Sequence, residues 1–598
     1  MKKLKSIFIV FLLASFLISC EDFMEQKPVA LFDYSTITTA DGIQKALVAA
    51  YAPLNGTQGL IDTPAQALLG NMHGGEAFKG STAGDQPAFL EFSKFEVTPG
   101  NASILTMWRT YYDAVNRVNL VLAALPTVTG LSDAAKLKIE AEAKFLRGHY
   151  FFMLKRAFKN IPYIDENSAS VSVPNYDSTG AYANAWPSIA ADFDFARKNL
   201  SATDTDLGRP NKWAAACYYA KVLIYRANEG EYAAGYTEAK TVLTDVIANG
   251  VTNKGAKYDL LPNYHDNFDA SIENGPESVF AIQHSANDGT SGVTTVSAPN
   301  GNMESLWFGS QNANAPGLGR GYGFYSPTQW FVDHFRTSGT GLPYLGMYND
   351  NTTMLKNDYG LLSTQAFTPD TVGIDPRLDW TVGRRGIPLL DYGIMPGKDW
   401  IRDQTHAGPY TLAKWHIYKS QDGTYTNPGG RRNAINVCLI RFADVLLLAA
   451  ECEARVGSLD LARTYVNRVR QRMVDNSTSA KNWVKTSAGA NAANYRIKTY
   501  PTGGVNDPFQ SQDKALDAIL YERTLELGLE GHRFYDVVRF GKGATEFNAF
   551  LTSMSKIFDY LKGATYAESP DAYLPIPSTA IERSLYEGAS TLKQNPGY

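Results

Sequence analysis

RPNKWAAACYYAKVLIYRAN (residues 209–228) followed by YTEAKTVLTDVIANG (236–250) decides the fold. Both stretches carry apolar residues at helical spacing. Small residues sit where two antiparallel helices would cross. A second pair, IRFADVLLLAAECEARVG (440–457) and LDLARTYVNRVRQRM (459–473), repeats the pattern. Working outward, helices are predicted at about 184–200, 212–229 and 234–249. Earlier ones are predicted at 41–54, 104–125 and 132–158, the last with Ser132 as N-cap and Asn160 with Pro162 as its stop. Residues 513–562 are helical again. The fold class is mostly α.

Such helix pairs resemble tetratricopeptide hairpins, which stack into a scaffold. No period of 34 residues is visible, so the repeat is degenerate. Helices are expected over about 40–250 and 433–562. Between them, 262–432 is rich in Gly, Asn, Asp, Ser and Thr, and reads as a loop-rich insertion carrying short strands. Glu277 to Gln283 alternates and is predicted to be a strand. Residues 55–103 are also loop-rich, and long loops inside a compact domain are usually functional or disordered. The end, 573–598, is expected to be extended.

The N-terminus reads as an address. Lys2, Lys3 and Lys5 precede an apolar run from Ile7 to Ile18, too short to span a bilayer. Leu17-Ile18-Ser19-Cys20 is similar to a bacterial lipobox. It predicts removal of residues 1–19 and lipidation of Cys20, with 20–39 as a tether to one domain spanning 40–598. Acyl chains contribute about 0.8 kcal/mol per buried CH₂, enough for stable anchoring. Glu21 and Asp22 resemble a tag for the outer face of the outer membrane.

The whole chain holds 56 Lys+Arg against 60 Asp+Glu. Losing residues 1–19 removes three lysines and no acid, which leaves an acidic excess of seven. Nothing in that balance favours nucleic acid. Cys217, Cys438 and Cys452 are an odd set in apolar contexts, so no disulfide framework is expected, and no Cys/His spacing suits a metal.

Four segments together resemble one family. They are Cys20-Glu21-Asp22-Phe23 with Pro28; Trp108-x-x-x-Tyr112 with Val115, Asn116, Asn119 and Leu120; KFLRGHYFFMLKRAFKNIPYI (144–164); and YERTLELGLEGHRFYDVVRFGK (521–542) with YLPIPSTAIE and LKQNPGY toward the C-terminus. The chain is similar to the SusD/RagB-like outer-membrane nutrient-binding lipoproteins. The resemblance implies about four tetratricopeptide-like hairpins, an irregular ligand-facing part, no enzymatic activity and no cofactor. It implies a partner, a SusC-like TonB-dependent transporter, and oligosaccharide as ligand, with peptide as the alternative.

Glu522, Glu526 and Glu530 recur every four residues, with Arg523, Arg533, Asp536 and Arg539 nearby. A glycosidase needs two carboxylates flanking a bond. Carboxylates at i and i+4 point the same way, about 6 Å apart at Cβ. The pattern predicts charge pairs stapling two helices across a turn at Gly531. His149 and His532 lack a second histidine at ligand spacing, and GLGRGYG (317–323) is not GxGxxG. Trp108, Tyr111, Tyr112, Tyr150, Phe151, Phe152, Trp213, Trp330 and Phe331 fall on helical patterns and are expected in the core.

Sugar recognition needs a flat aromatic for the C–H face and polar groups for the hydroxyls. GNMESLWFGSQNANAPGLGRGYGFY (301–325) offers both. Trp307, Phe308 and Tyr322 are its rings; Asn302, Gln311, Asn312 and Arg320 are its polar groups. The loop at 71–92 is the second candidate, with His73, Glu76, Phe78, Asp85 and Gln86. Trp380, Trp400 and Tyr410 come third.

Overall fold

The computed structural model describes residues 37–55, 65–170, 172–289, 321–346, 354–426, 432–477, 479–586 and 588–598. Cys20 and the 302–320 candidates lie outside them. We number the long helices α1 (Ala40–Tyr51), α2 (Ala102–Ala124), α3 (Asp133–Phe158), α4 (Trp186–Asn199), α5 (Lys212–Asn228), α6 (Gly235–Asn249), α7 (Phe442–Val456), α8 (Leu459–Asp475) and α9 (Gln512–Glu526), with the shorter α10 (Arg533–Arg539) and α11 (Gly543–Met554) after them. Strands β1 (Ser278–Ile282) and β2 (Val437–Arg441) pair antiparallel.

Side-chain caps start most of the long helices. Asn101 accepts from Ser103 N–H, Ser132 from Ala135 N–H, Asn211 from Trp213 and Ala214 N–H, and Ser458 from Leu461 N–H. Each satisfies donors that a helix start would otherwise leave open. The predicted boundaries fall within a few residues of the observed ones.

From α2 onward the helices stack in chain order, each on its predecessor. The chain leaves the stack after α6 and re-enters at α7, yet α6 packs on α7 as though the two were consecutive. Close crossing is what the small residues provide. A Cβ on Gly235 would stand 2.5 Å from the Leu223 carbonyl oxygen, so α5 and α6 approach to backbone distance there. Lys221 of α5 reaches Asp444 of α7 at 3.0 Å. Arg523 of α9 takes the other Asp444 oxygen at 2.7 Å and Asp536 of α10 at 2.7 Å.

The C-terminal tail closes the other end of the stack. Asn595 donates to the carbonyls of Phe158 and Leu574, both at 2.8 Å, and accepts from Asn160 at 2.9 Å. The tail departs from the extended form predicted for it. Pro577 precedes a helical turn, Ser578–Arg583, and Leu585–Tyr586 pairs with Ala589–Ser590. No helix among the described residues is long and apolar enough to cross a membrane.

Asn595→Ala removes three buried hydrogen bonds at once and takes the side-chain donor from the Leu574 carbonyl, while Phe158 keeps the Asn160 N–H. A stability loss of about 1–3 kcal/mol is expected, read by denaturant unfolding. An unchanged midpoint would show that the tail is not a clamp.

Candidate functional site

The described end of the 301–325 loop lies beside the 71–92 loop. Residues 76–81 run antiparallel to 323–328. Phe78 N–H donates to the Ser326 carbonyl at 2.8 Å, Ser81 N–H to Gly323 at 2.5 Å, Tyr325 N–H to Lys79 at 3.1 Å and Thr328 N–H to Glu76 at 2.9 Å. Gly80 is required at this crossing: its φ is +70°, and a Cβ would meet the Gly323 carbonyl oxygen at 2.4 Å.

Arg402 fastens the outer end of this ribbon. Its guanidinium donates to the Ser81 hydroxyl at 2.6 Å, the Asp85 carboxylate at 2.9 Å and the Tyr322 carbonyl at 2.8 Å. The Ser81 hydroxyl in turn donates to Asp85 at 2.8 Å. Lys79 closes the 82–85 turn from below, donating to the carbonyls of Thr82 and Asp85 at 2.7 Å each. Burial pulls its ammonium down to about 8, against the opposing pull of Asp85.

Beside the clasp lies a ledge of half-exposed rings. His406 lies parallel to Tyr560 at 5.9 Å between centroids. Tyr359 stands edge-on to Phe558 at 5.5 Å, and Phe558 rests on Phe78 at 4.5 Å. Asp403 holds the His406 ring at 3.1 Å. Tyr322, Tyr359, His406 and Tyr560 are all partly exposed, and so are Asp85, Gln86, Arg402 and Asp403. The face thus offers apolar ring surface next to charged and amide groups. Arg402, Lys79, Tyr359, His406 and Tyr560 were not foreseen. Their one sequence signal is Asp and Gly close by, as in Asn357-Asp358-Tyr359-Gly360 and Asp403 to Gly408.

Other expectations need correction. His73 and Phe78 are buried rather than ligand-facing. His73 accepts or donates at the Phe92 carbonyl at 2.6 Å, lies between the rings of Phe95 and Phe534, and burial holds its imidazole at about 4. Glu76 is buried too, accepting from Leu529 N–H at 3.0 Å. Trp380 donates its indole N–H to Asn482 at 2.9 Å, Trp400 sits in a small apolar cluster with Leu389 and Met395, and Tyr410 donates to Gln329 at 2.7 Å. All three are core, and none presents a face. Trp307, Phe308, Asn302, Gln311, Asn312 and Arg320 lie outside the described residues.

The glutamate triplet is a buried charge hub. Glu526 accepts from Arg377 at 2.8 Å, from Arg441 at 2.7 Å and from Arg472. Arg441 also holds Glu277 at 2.7 Å and Glu530 at 2.8 Å; Arg377 and Arg470 share Glu522 at 2.7 Å each. Burial alone would raise the Glu526 carboxyl, but Arg472, Arg441 and Arg377 outweigh it and hold it well below the usual range. The carboxylate is thus surrounded by matching cations, as predicted for charge pairs that staple the helices. Among the described residues, no group of three or more His, Cys, Asp or Glu is placed to hold a metal ion.

Comparison with known proteins bears on the family and the fold. Residues 276–598 match the model of the SusD family, and 22–224 match a model described as starch-binding associating with outer membrane. SusD-like protein P2 of Formosa agariphila is 25% identical over 617 aligned positions, covering all of both chains. A SusD-like protein of Bacteroides ovatus is 29% identical over 272, covering 44% of this chain and 47% of its own. Among solved structures, a laminarin-binding SusD-like protein superposes with a TM-score of 0.62 at 22% identity, covering 94% of this chain and all of its own. Surface glycan-binding protein A of Bacteroides thetaiotaomicron with laminarihexaose gives 0.61 at 20%, covering 93% and 99%.

Burial raises the Glu76 carboxyl from 4.5 to about 8, against the pull of Arg533. The unfolded chain ionises near 4.5 while the folded one keeps its proton. This group's stabilisation is therefore full below 4.5 and is lost as pH rises toward 8. Glu76→Gln has no proton to lose. The melting temperature of the natural protein minus that of the variant should fall by a few degrees between those pH values. A constant offset would contradict the assignment. With a full-length relative, a matched fold and a family model over its C-terminal half, the chain belongs to the SusD family.

Proposed function

We propose that this chain is a cell-surface lipoprotein, anchored through Cys20 in the outer membrane, that binds oligosaccharides and delivers them to a SusC-like TonB-dependent transporter. It does no chemistry on them. The observation that supports this best is the convergence of the 76–86 and 322–328 segments under Arg402, beside four half-exposed rings. Rings serve the C–H face of a sugar, while Asp85, Gln86, Arg402 and Asp403 serve its hydroxyls. Trp307 and Phe308, outside the described residues, are proposed as further sugar-stacking rings. The names of the laminarin-binding and laminarihexaose-bound relatives fit a neutral glucan as first ligand to try.

Affinity-gel electrophoresis against laminarin and other neutral polysaccharides tests the reading. At least one should retard the natural protein. Arg402→Ala, Tyr322→Ala and Trp307→Ala should each weaken that retardation with the fold intact by circular dichroism, by roughly tenfold where a platform ring is lost. Natural retardation in all three would place the site elsewhere. On cells, Cys20→Ala should release the protein from the membrane fraction; membrane retention of that variant would refute the lipid anchor.

A further inference from the structure

A second concave feature lies away from that face. It is a cavity of about 410 Å³ between one side of α2, the 162–173 segment and the C-terminal stretch 579–592. None of its lining residues belongs to the Arg402 face. Trp108 and Tyr112 form its aromatic side, with ring centroids 4.8 Å apart. The opposite wall is fixed in place. Tyr112 donates its hydroxyl to the Pro162 carbonyl at 2.9 Å, and Asn119 donates its amide to Ile164 at 2.9 Å. The cavity is therefore pre-formed, and its volume lies within the range of small-ligand sites.

Its rim has a definite charge. Arg109, Asn116 and Arg583 are exposed lining residues. Among the described residues, none of the three engages a hydrogen-bonding or ionic partner. No lining residue is acidic. This stands out in a chain whose acids outnumber its Lys and Arg. A local positive rim on an acidic protein selects an anion by position rather than by overall field. Guanidinium groups suit the planar oxygens of a carboxylate or the oxygens of a sulfate ester. Ser584, Thr579 and Thr591 add hydroxyls around an otherwise apolar wall.

We propose that the Trp108–Tyr112 cavity is an accessory site for a single sugar unit bearing an anionic substituent, a uronate carboxylate or a sulfate ester. The sugar ring rests against Trp108 and Tyr112. Its charge meets Arg109 and Arg583, and its hydroxyls meet Asn116. The choice of a sugar body rests on the glycan reading above; the cavity, its rings and its charge do not.

Isothermal titration of the full chain with methyl glucuronide, glucose 6-sulfate, methyl glucoside and inorganic sulfate tests it. Saturable binding of at least one anionic sugar is expected, tighter than methyl glucoside or sulfate alone. Which of the two binds tells carboxylate from ester. The double variant Arg109→Glu, Arg583→Glu should bind that sugar at least tenfold more weakly. Its melting temperature should be unchanged, because both side chains are exposed. Its retardation by neutral polysaccharide should match the natural protein. Three results would overturn the proposal: no binding of either anionic sugar, equal binding by the double variant, or inorganic sulfate binding as well as the sugars. Neutral polysaccharide reports on the Arg402 face alone. Its failure beside a positive titration would remove the glycan face and keep this cavity.

Discussion

Glu526 is the point on which the molecule closes. It lies at the end of α9, fully buried, and three arginines from three different parts of the chain converge on it. Arg377 comes from the insertion, Arg441 from the end of β2, Arg472 from α8. Glu277, just before β1, bridges Arg441 and Arg472 from the other side. Counting Arg377, Arg441, Arg470, Arg472 and Lys414 against Asp375, Glu277, Glu522, Glu526 and Glu530, the cluster is neutral, five against five. Neutrality matters because a buried, unpaired charge costs several kcal/mol. Each partner is tolerated only while the others are in place. The cluster therefore makes the insertion's docking on the helices close to all-or-none.

That docking explains the division of labour in the loops. Their inner residues hold the fold: His73, Glu76 and Phe78 are buried, and Asn71 accepts from Gly531 N–H at 2.7 Å, at the turn that follows the glutamates. Gly70 and Gly531 cross so closely that a Cβ on Gly70 would stand 2.1 Å from the Gly531 Cα. Among the described residues of these loops, the tips, 82–88 and the stretch around Tyr322, remain for display. A rigid base with displayed tips suits a binding protein. It gives no support to catalysis, since every carboxylate of the hub is neutralised by a cation.

Periodicity made the helices legible, because a buried stripe repeats at 3.6 residues whatever it packs against. The glutamate triplet was legible for a related reason: spacing of four fixes which way side chains point. The aromatic loops were not legible in the same way. Composition says that a ring lies among Gly, Asn and Asp; it does not say which side of the loop the ring takes. Phe78 and Trp400 turn inward, while Tyr359 and Tyr560 stay half outside. Trp108 shows the converse. Its helical spacing reads as core and it is 7% exposed, yet a cavity remains between it and the 579–592 stretch. Arg402 could not be found from sequence, since its partners lie about 80 and 320 residues away in the chain.

The most direct test separates the hub from the ligand face in one protein. Glu526→Gln removes the charge while keeping the shape, and leaves Arg377, Arg441 and Arg472 facing an amide. Thermal unfolding and polysaccharide retardation are then measured on the same sample. A loss of about 3–5 kcal/mol in stability, with retardation retained below the melting temperature, is the predicted result. Native stability with retardation abolished would contradict it and would move ligand binding into the hub.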